Sequence, residues 1–419
     1  MPEPILRRRT ALLLFVALSV DSSIGRAGAD ASQIPPLYVL QTTRGDTIRG
    51  PLLRIDAEGS VEMGGDKGGR IAERDIVTLR QEKTLLPPTT LAPQAIFANG
   101  DRLVGDATAL QGERLRFKPA AAPLQELLVP LSTLAGIWLA APEGIDDPAR
   151  FLSGWLRLHR RRDAVLLRNG DVVEGALAAF GDRAGQSRMA RVHVDKKDVD
   201  VDLAQVAAVA LAREKGRPPR VSRPSARIVA LDGSRLRFSS ITCDGGLLTG
   251  ATLFGAELRI PLRDVVAVEP YQSGTVYLSD LAPRDYQFTP YFGEGTLPYA
   301  KDVSIAGNEF MLAGSAYDKG IGMRSQSRLT YDLKGGYRCF TSVVGLDDRT
   351  GREGTVRIRV LVDGKLDAAV DDRELTARNG PRALRVDVSR AHELTLVVEY
   401  GRRGNVQGHV DWADARLIK

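Results

Sequence analysis

Few side chains in this 419-residue chain have the type and setting to do chemistry, and most of them lie in its last third. Tyr317 and Asp318 precede a Gly320 turn and are expected to be exposed. Arg324 offers a fixed fork of donors suited to hydroxyls or a carboxylate. Asp347 and Asp348 follow Val343-Val344-Gly345 at a loop start. Carboxylates there can accept hydrogen bonds from hydroxyls, hold a structural cation such as calcium, or simply cap the loop. Asp411 and Trp412 fall in the closing strand, where a large aromatic usually packs inward but could also serve as a binding platform. Nine of the ten tyrosines lie at or beyond Tyr271. A ring with a polar edge suits a ligand that has one apolar face and a rim of hydroxyls. Tyr277, Tyr331, Tyr337 and Phe340 are expected mostly in a core.

Catalytic patterns are missing. The four histidines, at 159, 193, 392 and 409, sit in unrelated contexts, with no GxSxG elbow, HExxH helix or cysteine nucleophile nearby. Cys243 and Cys339 form no CxxC and no Cys/His metal spacing. They read as two buried free thiols, with a disulfide open if the regions carrying them dock closely in an oxidising compartment. No cofactor is expected. Paired carboxylates for glycoside hydrolysis would need a deep cleft on a larger scaffold than the short β units below provide.

Forty-two glycines, 22 prolines and five methionines favour short strands and tight turns, and 43% hydrophobic residues suffice for packed cores. Between residues 30 and 270 four segments repeat one order: a β-rich run, a Gly-Asp or Gly-Ser turn, a second run, a polar excursion and a closing apolar strand. The turns stand at Gly45, Gly100, Gly170 and Gly233, too unevenly spaced for a tight solenoid. Asn99-Gly100, Asn169-Gly170 and Asp232-Gly233 suit type I′ hairpins, and their Asx side chains fit turn chemistry better than metal or phosphate ligation. The pattern predicts small SH3-like or Sm-like barrels over 30–88, 89–145, 146–215 and 216–270. Asp147-Pro148 predicts the start of a short helix over 149–159, with Arg160, Arg161 and Arg162 facing solvent. Residues 214–224 read as a stiff Pro/Arg linker.

Residues 1–29 resemble an export signal: Arg7-Arg8-Arg9, an apolar run from Ala11 to Val20, and Ala27-Gly28-Ala29 before Asp30. Such a run would span about 15 Å as a helix, too short for a hydrocarbon core of about 30 Å. Export to the periplasm, cell surface or medium is expected, without a stable membrane span. The remaining chain holds 54 basic and 50 acidic residues, a balance an ordinary soluble surface carries by chance. Nucleic acid is disfavoured, since no basic stripe is interleaved with aromatics.

Three segments from residue 317 onward carry a resemblance: Lys319-Gly320-Ile321-Gly322, Ser327 to Leu333, and Phe340 to Asp348, with Gly408 to Leu417 closing the region. Together, over 271–419, they resemble the NPCBM family, the carbohydrate-binding module first noted on family 98 glycoside hydrolases. The resemblance implies a galactose-binding-like β-sandwich, a carbohydrate ligand and no catalysis. It also places Arg324 where the family pattern usually has histidine, and arginine cannot accept a hydrogen bond as neutral imidazole can. The sequence thus predicts a mainly β, non-catalytic, exported protein that binds glycan through Tyr317, Arg324, Asp347, Asp348, Asp411 and Trp412. The competing reading is a scaffold whose module has lost its sugar pocket and whose repeats bind a partner protein; an enzyme acting on polysaccharide ranks third.

Overall fold

The computed structural model describes residues 35–419 apart from 159, 184–185, 213–225, 272–273, 368–369 and 371–373. The export signal predicted over 1–29, the linker over 214–224 and His159 therefore lie outside the described residues. Residues 35–419 form one compact unit. Its secondary structure is almost wholly antiparallel strand, with one α-helix, Pro148–Arg157, among the described residues.

Four stretches share one five-stranded plan. In the first, Leu37–Thr42 pairs with Thr47–Ile55 on one side and Ile76–Gln81 on the other, while the second strand runs on to Val61–Met63 and then Gly69–Ile71. A 3-10 turn, Glu73–Asp75, leads into the closing strand. The same pairing recurs over 94–138, 163–210 and 226–270, with 3-10 turns Leu131–Thr133, Leu203–Gln205 and Leu262–Asp264 in the equivalent place. This is the small-barrel plan expected from the sequence.

The closing strands are apolar at nearly every position because they are covered on both sides. Val206–Ala210 is buried throughout. It pairs antiparallel with Leu134–Trp138 of the neighbouring barrel, and Val265–Pro270 pairs likewise with Ile76–Gln81. Barrels two and three thus join through their last strands, as do one and four. A strand buried on both faces loses the polar alternation of a half-exposed one and reads as a continuous apolar run.

The leading turns depart from expectation in type. Each glycine has φ near +90° to +100°, yet the residue before it, Arg44, Asn99, Asn169 or Asp232, does not enter the left-handed region. Gly100 N–H donates to Phe97 O, and Phe97 N–H donates back to Asp101 O; the same pair of bonds frames Gly45, Gly170 and Gly233. This is a three-residue loop, a type I turn closed by a left-handed glycine, and not a type I′ turn. The side chains of Asn99, Asn169 and Asp232 accept from the backbone N–H two residues on, as Asx turns do.

Asp147 caps the helix by accepting from Arg150 N–H, with Pro148 in the first turn. The basic tail is only partly solvated. Arg160 turns back to donate to Trp155 O and lies 4.3 Å over the Trp155 ring, while Arg162 pairs with Asp195 at the surface.

The C-terminal region is a sandwich of two antiparallel sheets. One runs Ala300–Lys301, Gly320–Arg324, His409–Ile418, Cys339–Leu346, Arg382–Asp387, with Thr275–Tyr277 beside His409–Ile418. The other runs Asp285–Phe288, Ser327–Asp332, Glu393–Tyr400, Thr355–Val362, Lys365–Leu366. Tyr331, Phe340, Leu396 and Trp412 fill the space between them. His409–Ile418 is buried almost from end to end because it too is covered twice. Val410, Trp412 and Leu417 face the sandwich core, whereas Ala413 packs with Leu86 and Val229 of the barrels, and Ile418 with Val77.

Charge also crosses this junction. Glu269 of the fourth barrel binds Arg227 at 2.5 Å and stands 3.7 Å from both Arg80 and Arg416. Asp414 pairs with Arg80 and, at 3.1 Å, with Arg416. Burial pushes the Asp414 carboxyl up, but Arg416, Arg80 and Arg227 together outweigh it and hold it below the usual carboxylate range. The two cysteines are free and buried.

Candidate ligand-binding cleft

Strand register builds the site. Gly320–Arg324 pairs antiparallel with His409–Ile418 so that Arg324 stands directly opposite His409. Side chains opposite each other in such a pair share a face. Arg324 Nη1 lies 2.9 Å from His409 Nε2. Burial, aided by the adjacent Arg324 charge, lowers the His409 pKa to about 4. Its imidazole is therefore neutral near pH 7, with Nε2 accepting from Arg324 and the proton on Nδ1. Arg324 makes no ion pair among the described residues and lines a cleft that also holds Glu294.

The two residues sit at one end of an open cleft of about 390 Å³, whose wall includes Tyr291, Phe292, Tyr400 and Asn405. Phe292 is 82% exposed, more than its contribution to any core would require. Tyr291 meets Phe292 edge-on at 4.6 Å and Tyr400 at 5.1 Å between ring centres. Tyr400 is fixed by donating its hydroxyl to Thr289 O. Gly408 lets the last strand enter close to the cleft floor: a Cβ there would stand 2.3 Å from Ser325 Oγ. Aromatic faces beside a cationic fork and a neutral imidazole can stack on the apolar face of a ring and bind its hydroxyls from the edge.

Of the residues singled out from sequence, only Arg324 lies here. Tyr317 is 8% exposed and packs against Leu86, Val229 and Phe310 at the junction with the barrels. Asp318, also expected to be exposed, pairs with Arg227 at 3.1 Å and Arg235 at 2.6 Å. Trp412 is fully buried in the sandwich, which excludes a platform role.

The three aspartates are structural in their contacts. Asp348 accepts from Ala313 and Gly314 N–H with its two oxygens, pinning the Phe310–Tyr317 hairpin. Asp347 is buried and caps the following 3-10 turn by accepting from Arg349 N–H. Asp411 is fully buried beneath the Met311 hairpin; burial first, then the neighbouring Asp347, drives its carboxyl well above the usual range. A buried carboxyl beside a second carboxylate favours its neutral, protonated form. Among the described residues no group of three or more His, Cys, Asp or Glu side chains is arranged to hold a metal.

His409, Tyr291, Phe292 and Tyr400 escaped the sequence reading. His409 stood among four histidines in unrelated contexts, because its partner is 85 positions away and only the register joins them. The clustering of tyrosines beyond Tyr271 was the one available signal for the aromatic wall.

The sequence profile of the NPCBM/NEW2 domain matches residues 274–418. Among solved structures, the CBM51 module from Clostridium perfringens GH95 in complex with methyl-galactose is 28% identical over 34% of this chain and 99% of that one, at a TM-score of 0.30. The CBM51-2 and INT domains of Clostridium perfringens ZmpB in complex with GlcNAc are 24% identical over 48% of this chain, at a TM-score of 0.32. This chain covers 39% of that one. The tandem CBM51 modules of Sp3GH98, the family 98 glycoside hydrolase of Streptococcus pneumoniae SP3-BS71, are 14% identical over 87% of this chain and 97% of that one, at a TM-score of 0.29. No curated protein matches the chain.

Proposed function

Residues 274–418 being an NPCBM/NEW2 domain, a module of a carbohydrate-binding family, we propose that the protein is an exported, non-catalytic glycan-binding protein. Its binding site is the cleft of Arg324, His409, Tyr291, Phe292 and Tyr400. The observation that carries this reading is the Arg324–His409 pair. Histidine is absent from position 324, but a neutral imidazole is restored across the strand by His409, so both a donor fork and an imidazole face the same cleft. Phe292 supplies the exposed ring over which a sugar would lie. Asp347, Asp348 and Asp411 hold the strands and the hairpin of the module and do not line the cleft.

The four barrels have the role of a rigid base. They meet the module through buried apolar contacts and the Glu269–Asp414 charge cluster, which supports a fixed presentation of the cleft over a flexible tether. No described helix is long and apolar enough to cross a membrane.

The test is a glycan-array screen of the full chain, with Arg324→Ala and Phe292→Ala beside it. Selective glycan binding weakened in both variants is the expected result. Folded protein that binds no glycan on the array would overturn the proposal in favour of the scaffold reading. Export is checked by N-terminal sequencing of secreted protein, where a start near Asp30 is expected and intact Met1 in the cytoplasm contradicts it.

A further inference from the structure

A second polar cavity lies far from the glycan cleft in character. It has a volume of about 320 Å³ and forms where the second barrel, the fourth barrel, the helix Pro148–Arg157 and the C-terminal module meet. Seven basic side chains line it against four acidic ones. Most of the acids are already engaged: Asp318 by Arg227 and Arg235, Glu309 by Arg349, and Asp302 by Lys319.

What remains is unpaired positive charge. Arg102 donates only to the Thr89 hydroxyl, and neither Arg102 nor Arg150 makes an ion pair among the described residues. The Arg235 side chain is 6% exposed; it donates Nη2 to Pro87 O and contacts Asp318 through Nε, yet its buried Nη1 has no hydrogen-bond partner. A buried cationic donor without an acceptor is costly, since its desolvation goes uncompensated. Burial, with the Arg235 charge adding to it, pulls the Arg102 pKa down despite the nearby acids Asp318 and Glu309. Asp318 is thus shared between Arg227 and Arg235, and the basic side chains of the lining still outnumber the acidic ones. Fork-shaped donors around a cavity of this size match a tetrahedral oxyanion, which can accept two bonds from each of several guanidiniums.

We propose that this cavity binds a doubly charged tetrahedral oxyanion, a phosphate or sulfate group, through Arg102, Arg150 and the free Nη1 of Arg235. An anion there would supply the missing acceptor for Arg235 and neutralise the excess charge. It would also bridge the second barrel, the fourth barrel and the helix. Two sources carry this group: the free inorganic ion, or a sulfate ester on a saccharide.

Calorimetric titration and thermal unfolding of the full chain distinguish them, using inorganic phosphate, inorganic sulfate and galactose 6-sulfate, each against sodium chloride of equal ionic strength. Binding of phosphate or sulfate with a rise in Tm is expected, reduced at least tenfold in Arg102→Gln and severalfold in Arg150→Gln, and unchanged in Arg324→Ala and Phe292→Ala. Arg150 is exposed on the helix, so its variant remains informative if Arg102→Gln fails to fold. Tighter binding of galactose 6-sulfate than of free sulfate, sensitive to the same two arginines, assigns the site to a sulfated saccharide; equal or weaker binding assigns it to the free ion. Absence of binding by any of the three probes to cooperatively folding protein overturns the proposal, as does binding that Arg150→Gln leaves unchanged.

Discussion

Replacing Asp414 with asparagine preserves the shape of the side chain and removes the charge at the centre of the barrel–module junction. In the intact protein this carboxylate is mostly buried and faces Arg80 and Arg416, whose other acidic neighbour, Glu269, is 3.7 Å from each. Two unit charges about 4 Å apart attract by about 4 kcal/mol at an effective dielectric near 20. Loss of two such attractions is partly offset by relief of the carboxylate's own desolvation, which amounts to several kcal/mol. The expected net loss is about 3 kcal/mol, at the lower end of the range for breaking a buried ion pair. That is roughly a 150-fold fall in the ratio of folded to unfolded protein. Urea unfolding followed by tryptophan fluorescence reads both sides of the junction, because Trp138 and Trp155 lie in the barrel region and Trp412 in the module. The control is Asp332→Asn, whose pair with Arg284 is about half exposed and should be worth under about 1 kcal/mol. A loss at Asp414 no larger than that of the control would refute the reasoning that buried charge fixes the module to its base.

Other outcomes follow from the same geometry. Because the Asp414 pKa is held below that of the unfolded chain, its contribution is present above about pH 4 and lost as pH falls through the folded value, so the wild type and Asp414→Asn should converge in stability in strong acid. Asp411 has the opposite sign: its folded pKa is raised, so the native state loses stability as pH climbs past the ordinary carboxylate value. Asp411→Asn should therefore raise Tm at neutral pH by an increment that shrinks toward pH 3, and a fall in Tm at pH 7 would contradict a raised Asp411 pKa. For His409, NMR titration of the imidazole should give a midpoint near 4 that moves upward in Arg324→Ala, since one of the two influences depressing it is removed. Its depressed pKa makes the native state less stable as pH drops from about 6.5 toward 4, so acid weakens the cleft before it unfolds the sandwich.

The parts of this molecule legible from sequence are those set by short-range physics. Asn99-Gly100 and Asn169-Gly170 marked the turns because a left-handed glycine and an Asx side chain act within a few residues, although the turn type differed. Val206 to Ala210 announced a closing strand through unbroken apolarity, which is the mark of cover on both faces. The sandwich was legible through family resemblance and through strands such as Arg382–Asp387, whose burial alternates. The cleft was mostly illegible because its members meet through register. Arg324 and His409 converge only when two strands far apart in sequence pair with one particular alignment. Tyr317 misled for the complementary reason: a tyrosine before Asp-Lys-Gly looks solvent-facing, and what buries it is Leu86 and Val229 from barrels encoded about a hundred residues or more upstream. Asp348 looked like a ligand-binding carboxylate, and its partners turned out to be the backbone of a hairpin at residues 313–314.

Because the module shares buried charge and apolar surface with the barrels, cutting the chain near residue 271 would strand Asp414 and Arg416 without Arg80 and Glu269. The decisive measurement therefore uses the full chain. Calorimetric titration of the glycan selected on the array, into wild type, Arg324→Ala and Phe292→Ala, addresses the central claim directly. The account predicts saturable binding in the wild type that weakens at least tenfold in each variant while Tm stays within a few degrees. Equal affinity in all three proteins would place the glycan elsewhere and contradict the assignment of the cleft.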